Sequence, residues 1–63
     1  MEKVKVYIAG YRKRGDSSRF LADYKYRTQA EAEAHINSFA AHVEAKLIVK
    51  EMKPSNITWA TNN

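Results

Sequence analysis

Hydrophobic and polar residues alternate along the first part of the chain. Between Lys3 and Tyr11, one side carries an apolar row and the other carries lysines, tyrosines and Ala9. The alternation returns between Arg19 and Tyr26, and a period of two predicts half-buried strands. We expect a hairpin that turns near Gly15, with even positions paired to even positions so that both apolar rows share a face. These rows are Val4, Val6 and Ile8, then Phe20, Ala22, Tyr24 and Tyr26.

A helix start follows the second predicted strand. In Thr28-Gln29-Ala30-Glu31 the hydroxyl of Thr28 can accept a bond from the Glu31 amide, while the Glu31 carboxylate reaches back, as in a capping box. Apolar residues then recur at spacings of three and four, which predicts a helix running to roughly Glu44. Its expected buried stripe is Ala32, Ile36, Phe39, Ala40 and Val43.

The C-terminal third predicts one more strand and a tail. Residues 46–52 are β-branched and apolar in their first half, and Pro54 ends the run. Two inward faces remain open for this strand, namely Leu47 with Val49 or Ile48 with Met52. Residues 54–63 are expected to form a polar tail, for which a short strand at 57–60 is one option. Either Ile57 and Trp59 dock the tail on its own domain, or Trp59 anchors a partner.

The order strand, strand, helix, strand predicts a small single α+β domain over residues 1–53. A helix that returns along the sheet makes the third strand antiparallel to the first. Placing it beside the first strand keeps all pairing antiparallel. We therefore expect a β-β-α-β fold, with a three-stranded antiparallel sheet in the order 2-1-3 and the helix packed on one face.

Composition narrows the functional classes. The chain has 63 residues, no cysteine and a net charge of +4, so its stability must come from one small core or from a partner, such as a second copy in a homodimer. A basic protein cannot imitate the polyanion DNA, which excludes DNA-mimic inhibitors. The N-terminal region lacks the apolar segment of a signal peptide or membrane span, so we expect a soluble, cytoplasmic protein.

No catalytic or metal-binding pattern is found in the sequence. With Gly10 and Gly15 as the only glycines, no phosphate-binding loop can be built. His35 and His42 are seven residues apart, about 10.5 Å along a helix, which is too far for one metal ion. We expect neither enzymatic activity nor a cofactor.

The leading functional hypothesis is a small, non-enzymatic, nucleic-acid-associated regulator. Basic side chains neutralise phosphates and tyrosine rings stack on bases. We expect lysines and tyrosines to share the sheet face away from the helix, with further cations in the hairpin loop. The candidate contacts for nucleic acid or an acidic protein surface are Lys5, Tyr7, Arg12, Lys13, Arg14, Arg19, Lys25 and Trp59.

Other interpretations compete for the same residues. The alternative function is a protein-interaction module, such as a small viral or mobile-element inhibitor or adaptor that binds and blocks a host protein. A solvated basic face is the purely structural interpretation, since lysines on a strand block edge-to-edge aggregation. The loop also contains the integrin-binding tripeptide Arg14-Gly15-Asp16, but adhesion would require secretion. We interpret the loop as a positively charged hairpin tip.

Overall fold

A computed structural model describes residues 2–60, which form three strands, one α-helix and a short 3₁₀ turn. All strand pairing is antiparallel, in the order β2-β1-β3, and α1 packs on one face of the sheet. The predicted fold class and sheet order are confirmed. The elements are β1 (Val4–Lys13), β2 (Leu21–Tyr26), α1 (Gln29–Ser38), β3 (Val43–Met52) and the turn Pro54–Asn56.

The middle strand, β1, has very different pairings on its two sides. With β3 it forms ten consecutive pairs, from Val4 opposite Met52 to Lys13 opposite Val43. Its pairing with β2 is short and is interrupted by a bulge between Ala9 and Tyr11. The β1 and β3 ladder is therefore the longest continuous element of the fold.

The predicted hairpin register is wrong. Tyr24 lies opposite Ala9 and Tyr26 lies opposite Tyr7, so even positions of β2 pair with odd positions of β1. Residues directly opposite one another share a face of an antiparallel sheet. Tyr24 and Tyr26 consequently lie on the face opposite to Val4, Val6 and Ile8, whereas Phe20, beyond the bulge, contacts Arg12 and Lys46 on the same face as Val6 and Ile8. Our prediction assumed a single buried face, whereas both faces of β1 are covered.

The first face of the sheet packs against α1 through aromatic side chains. The His35 ring lies 4.3 Å from the ring of Tyr24 and 4.8 Å from that of Phe39. The Tyr26 hydroxyl is 2.7 Å from His35 Nδ1, and burial raises the pKa of this tyrosine. Ala9 and Ala32 are both fully buried, and their small side chains let the helix approach the middle strand.

The second face of the sheet is covered without a helix. Val6 and Ile8 alternate with the helix-facing residues and are also fully buried. The segment after β3 leaves one edge of the sheet and reaches the opposite edge, where Trp59 bridges to Lys25 and the Ala60 amide donates to the Lys25 carbonyl at 2.9 Å. The segment therefore connects the two edges of the sheet and brings Trp59 to Lys25, a residue of the second face.

The pairing of β3 with β1 shows which residues of β3 face the helix. Leu47 lies opposite Ala9 and Val49 opposite Tyr7, so these two residues are on the helix face. Ile48 and Met52 lie on the second face with Ile8 and Val4.

The predicted helix end is wrong, because α1 ends at Ser38 rather than near residue 44. Val43 fits the helical stripe, but it also begins the alternation of β3 and pairs with Lys13 at the end of the long β1 strand. His42 therefore lies in a turn and not on the helix with His35. No helix within residues 2–60 has the length and apolar character needed to cross a membrane.

We predict that Gly10→Ala destabilises the fold through overpacking. Gly10 is buried on the second face, and a Cβ there would lie 2.5 Å from Ile48 Cδ1. Overpacking costs about 1–3 kcal/mol, and alanine regains about 0.5–1 kcal/mol over glycine in a strand. We expect a net loss of about 1 kcal/mol in the free energy of unfolding, measured by denaturant titration.

The matched background for this prediction is Ile48→Val, which removes the clashing methyl group. In that background Gly10→Ala should cost less, because of the two contacts with residue 48 only that with Cγ1 at 3.2 Å remains, so the two substitutions should couple in a double-mutant cycle. Equal costs in both backgrounds would contradict the proposed overpacking.

Candidate binding surface at the hairpin end

Most of the excess positive charge lies at one end of the molecule. We define the hairpin end as residues 12–20 together with Glu44 and Lys46, which lie opposite Arg12 and Gly10 on β3. It contains five cationic and two anionic side chains, a net charge of +3 out of the chain's +4. Because the molecule is 39 Å long and only 15 Å thick, this charge is concentrated rather than spread over the surface.

The turn at this end is closed by its own residues. Gly15 has a positive φ of 87°, a conformation that glycine adopts without steric cost. The Asp16 amide donates to the Lys13 carbonyl at 3.0 Å, and the Ser18 amide donates to Asp16 Oδ1 at 2.9 Å. This second bond lowers the pKa of Asp16. Asp16 therefore acts as a turn residue.

Arg14 is held against the connection between α1 and β3. Its backbone amide donates to the His42 carbonyl at 2.9 Å. Its Nε donates to the Ala41 carbonyl at 2.8 Å and its Nη2 to the Val43 carbonyl at 3.3 Å. These carbonyls are neutral, so the guanidinium keeps its charge and its remaining N–H groups. Both charged members of the tripeptide Arg14-Gly15-Asp16 are thus engaged in holding the loop.

Arg12 ties the return of the loop to β3. Its Nε donates to Glu44 Oε1 and its Nη1 to the Ser18 carbonyl, both at 2.9 Å. The Arg12 guanidinium also lies 4.3 Å from the centre of the Phe20 ring, and Lys46 Nζ lies 4.5 Å from the same ring. The Arg12 guanidinium lowers the pKa of Glu44. These contacts hold two of the five cations, Arg12 and Lys46, in position.

The other two cations of the loop, Lys13 and Arg19, have exposed side chains. These side chains make no hydrogen bond or ion pair within residues 2–60. A shallow hollow of about 340 Å³ lies beside them, lined by Lys13, Arg14, Gly15 and Asp16. The hairpin end therefore combines fixed arginines with free cationic side chains.

The structure separates the predicted contact residues into distinct places. Arg12, Lys13, Arg14 and Arg19 come together at the hairpin end. Lys5 and Tyr7 instead lie on the helix face, opposite Glu51 and Val49 of β3.

Lys25 lies on the second face, where its Nζ donates to the Ala22 carbonyl at 3.0 Å. It adjoins Trp59, whose ring centre is 4.3 Å from the Arg27 guanidinium. The predicted platform of lysines and tyrosines on one face is therefore wrong, because it depended on the incorrect hairpin register. Tyr11 likewise faces the helix, with its ring 5.5 Å from that of Phe39.

Sequence reasoning missed three residues of the hairpin end: Phe20, Glu44 and Lys46. We assigned Phe20 to the core row and placed Glu44 at the end of the helix. No local signal could have found them, because their roles depend on which residue of β3 lies opposite Arg12 and Gly10. Only the β1 and β3 register supplies this information.

Comparisons with known proteins leave this surface to be interpreted from its own geometry. No family model matches the sequence, and neither the curated proteins nor the solved structures contain a match. Residues 2–60 also contain no group of three or more side chains placed to hold a metal ion. The arrangement at the hairpin end is one that attracts anions.

We predict that the ion pair between Arg12 and Glu44 contributes to the acid sensitivity of the fold. Since the folded-state pKa of Glu44 is lowered, its contribution is fully present above the unfolded pKa, about 4.3. It is lost as the pH falls through the lower folded value. In Glu44→Gln that part of the pH dependence should be missing, as measured by denaturant unfolding between pH 7 and pH 3.

The matched control is Glu51→Gln, since Glu51 is an exposed glutamate of the same strand that makes no ion pair within residues 2–60. The stability difference between the wild type and Glu44→Gln should shrink toward low pH, while the difference for the control stays constant. Parallel curves for the wild type and Glu44→Gln would rule out this role of the pair.

Proposed function

We propose that this protein is a small, non-enzymatic regulator that binds nucleic acid through its hairpin end. The observation that carries the proposal is the net charge of +3 gathered there, with Lys13 and Arg19 free of partners within residues 2–60. Cationic side chains that neutralise phosphates release condensed counterions, which supplies most of the affinity of sequence-independent binding.

The two arginines suit phosphate groups in particular. A guanidinium presents several N–H donors in a rigid plane and can bind two phosphate oxygens at once. Arg12 and Arg14 are already fixed by hydrogen bonds to backbone carbonyls, so less side-chain freedom is lost when a ligand binds. This preorganisation supports a phosphate backbone as the ligand.

The proposal assigns no base stacking to the sheet. Tyr11, Tyr24 and Tyr26 pack against α1, so their rings are not available as a platform. Contacts made only to phosphates fix the position of a protein but do not read sequence. Binding through the hairpin end is therefore expected to depend weakly on sequence and strongly on salt.

We predict that the affinity for short DNA or RNA falls steeply with salt, by about 0.9 log units per phosphate contact for each log unit of salt on duplex DNA. Lys13→Ala and Arg19→Ala should each lower this slope by about 1. The measurement is a fluorescence anisotropy titration at several salt concentrations. Lys53→Ala is the control, because Lys53 is equally exposed but lies outside the hairpin end.

Two outcomes would contradict the proposed function. One is the absence of binding at low salt, or an affinity that does not change with salt. The other is an equal loss of slope in Lys53→Ala, which would mean that overall charge and not the hairpin end is responsible. Binding of an acidic polypeptide in preference to nucleic acid would redirect the proposal toward an acidic protein surface.

A further inference from the structure

The outer edge of β3 carries a row of backbone groups that point away from β1. Paired residues of an antiparallel ladder alternate between those that exchange hydrogen bonds and those that do not. The Arg14 amide donates to the His42 carbonyl in the register of the β1 and β3 ladder. Even-numbered residues of β3 therefore bond to β1, and odd-numbered residues direct their N–H and C=O groups outward.

One outward residue is already satisfied within the chain. The Val43 amide donates to the Ala40 carbonyl at 3.0 Å, and the Val43 carbonyl accepts from Arg14. The next four, Ala45, Leu47, Val49 and Glu51, have no backbone partner on that side within residues 2–60. Val49 is also 48% exposed on the helix face. An edge of this length with apolar side chains is a template for strand pairing.

We propose that β3 pairs with β3 of a second copy of this chain, antiparallel and about a two-fold axis at Leu47. Only registers that place odd residues opposite odd residues satisfy the outward groups. Three such registers pair at least three of the four free residues, and they are centred on Leu47, Ile48 or Val49.

The charges on the second face distinguish these three registers. Centring on Leu47 places Glu44, whose Oε1 accepts from Arg12 of its own chain, opposite Lys50 of the second copy, and symmetry repeats this attraction. Centring on Ile48 places Lys46 opposite Lys50 of the second copy, and symmetry repeats this repulsion. Centring on Val49 brings no opposite charges together. Opposite charges in directly facing positions stabilise strand pairing and like charges oppose it, so the edge is complementary to itself in one register.

The pairing would also cover the exposed apolar edge. Residues directly opposite one another share a face, so both helices lie on the same side of a six-stranded sheet. Val49 then faces Ala45 of the second copy, and the two Leu47 side chains meet at the axis. Three hydrogen-bonded residue pairs form, while Glu51 stays unpaired because it lies opposite the already satisfied Val43.

This dimer would place its two hairpin ends at opposite ends of the new pairing. Ten residues separate His42 from its symmetry mate along the paired strands, a distance of about 33 Å. That is close to the spacing of about 34 Å between sites one turn apart on duplex DNA. This consequence rests on the proposed nucleic-acid binding, whereas the dimer itself does not.

The experiment is sedimentation analysis over a wide concentration range with the wild type, Lys50→Glu and Lys53→Glu. We expect a concentration-dependent dimer whose dissociation constant rises about tenfold or more in Lys50→Glu, because two attractions become repulsions. Lys53→Glu makes the same charge change outside β3 and should leave the dimer unchanged. In the Ile48-centred register Lys50→Glu would tighten the dimer, and in the Val49-centred register it would have little effect.

A second readout tests the backbone pairing directly. Amide hydrogen exchange should slow at Ala45, Leu47 and Val49 as the concentration rises, but not at Glu51. Val49→Pro removes one outward N–H that no bond within the monomer uses, and edge strands tolerate such prolines. This variant should abolish the dimer while its circular dichroism remains that of a folded protein. If it fails to fold, Lys50→Glu decides the question.

A monomer at millimolar concentration, a dimer that Lys50→Glu tightens or leaves unchanged, or one that folded Val49→Pro retains would each overturn this proposal. Binding of another protein's strand at the edge of a monomeric chain would overturn it as well. A monomer that still loses salt-dependent DNA binding in Lys13→Ala would reject the dimer and keep the proposed function. A dimer that does not bind DNA would keep the proposed dimer and reject the proposed function.

Discussion

The ten-pair ladder between β1 and β3 is the constraint on which the rest of the structure depends. It joins residues about thirty to fifty positions apart and makes β1 the middle strand. It also sets Lys46 opposite Gly10 and Glu44 opposite Arg12, which positions the ion pair and the cations around Phe20. The core, the hairpin end and the free edge of β3 all follow from this one register.

The side chains of β1 are buried on both faces of the sheet. This very small chain therefore has to cover both faces, and it covers each in a different way. An aromatic cluster around His35 and Phe39 covers one face, and Val6 and Ile8 are buried on the other, which carries no helix. A chain of 63 residues has a limited buried surface, and this arrangement leaves Val4, Leu21 and Val49 as the exposed large apolar side chains of residues 2–60. It also removes the tyrosines from any binding platform, so the charge is presented at an end of the sheet instead of on a face.

The hairpin end and the outer edge of β3 both depend on the ladder between β1 and β3. Arg14 bonds to the backbone around Val43, which anchors the basic loop and at the same time satisfies the first outward group of β3. Beyond that point, no backbone group between residues 2 and 60 bonds to the outer edge of the strand. The basic loop therefore presents its positive charge to anions at the start of β3. The rest of the strand is open to pairing along its outer edge.

The sequence by itself determined the types of element, the helix N-cap at Thr28, the order of the strands and the presence of a basic hairpin, because these depend on short-range periodicity and on connection geometry. Thr28 accepts a bond from the Glu31 amide, while the Glu31 carboxylate accepts from the Thr28 hydroxyl instead of the predicted Thr28 amide. The sequence could place Arg12, Lys13, Arg14 and Arg19 together because they flank one turn.

Only the tertiary structure decided the register of β2, the end of α1, the faces of Tyr7 and Lys25, and the partners of Arg12. A bulge of one residue exchanges the faces of a strand. Val43 satisfies a helical and a strand pattern equally well until the length of β1 selects between them. These choices depend on contacts between distant residues, which local patterns do not record.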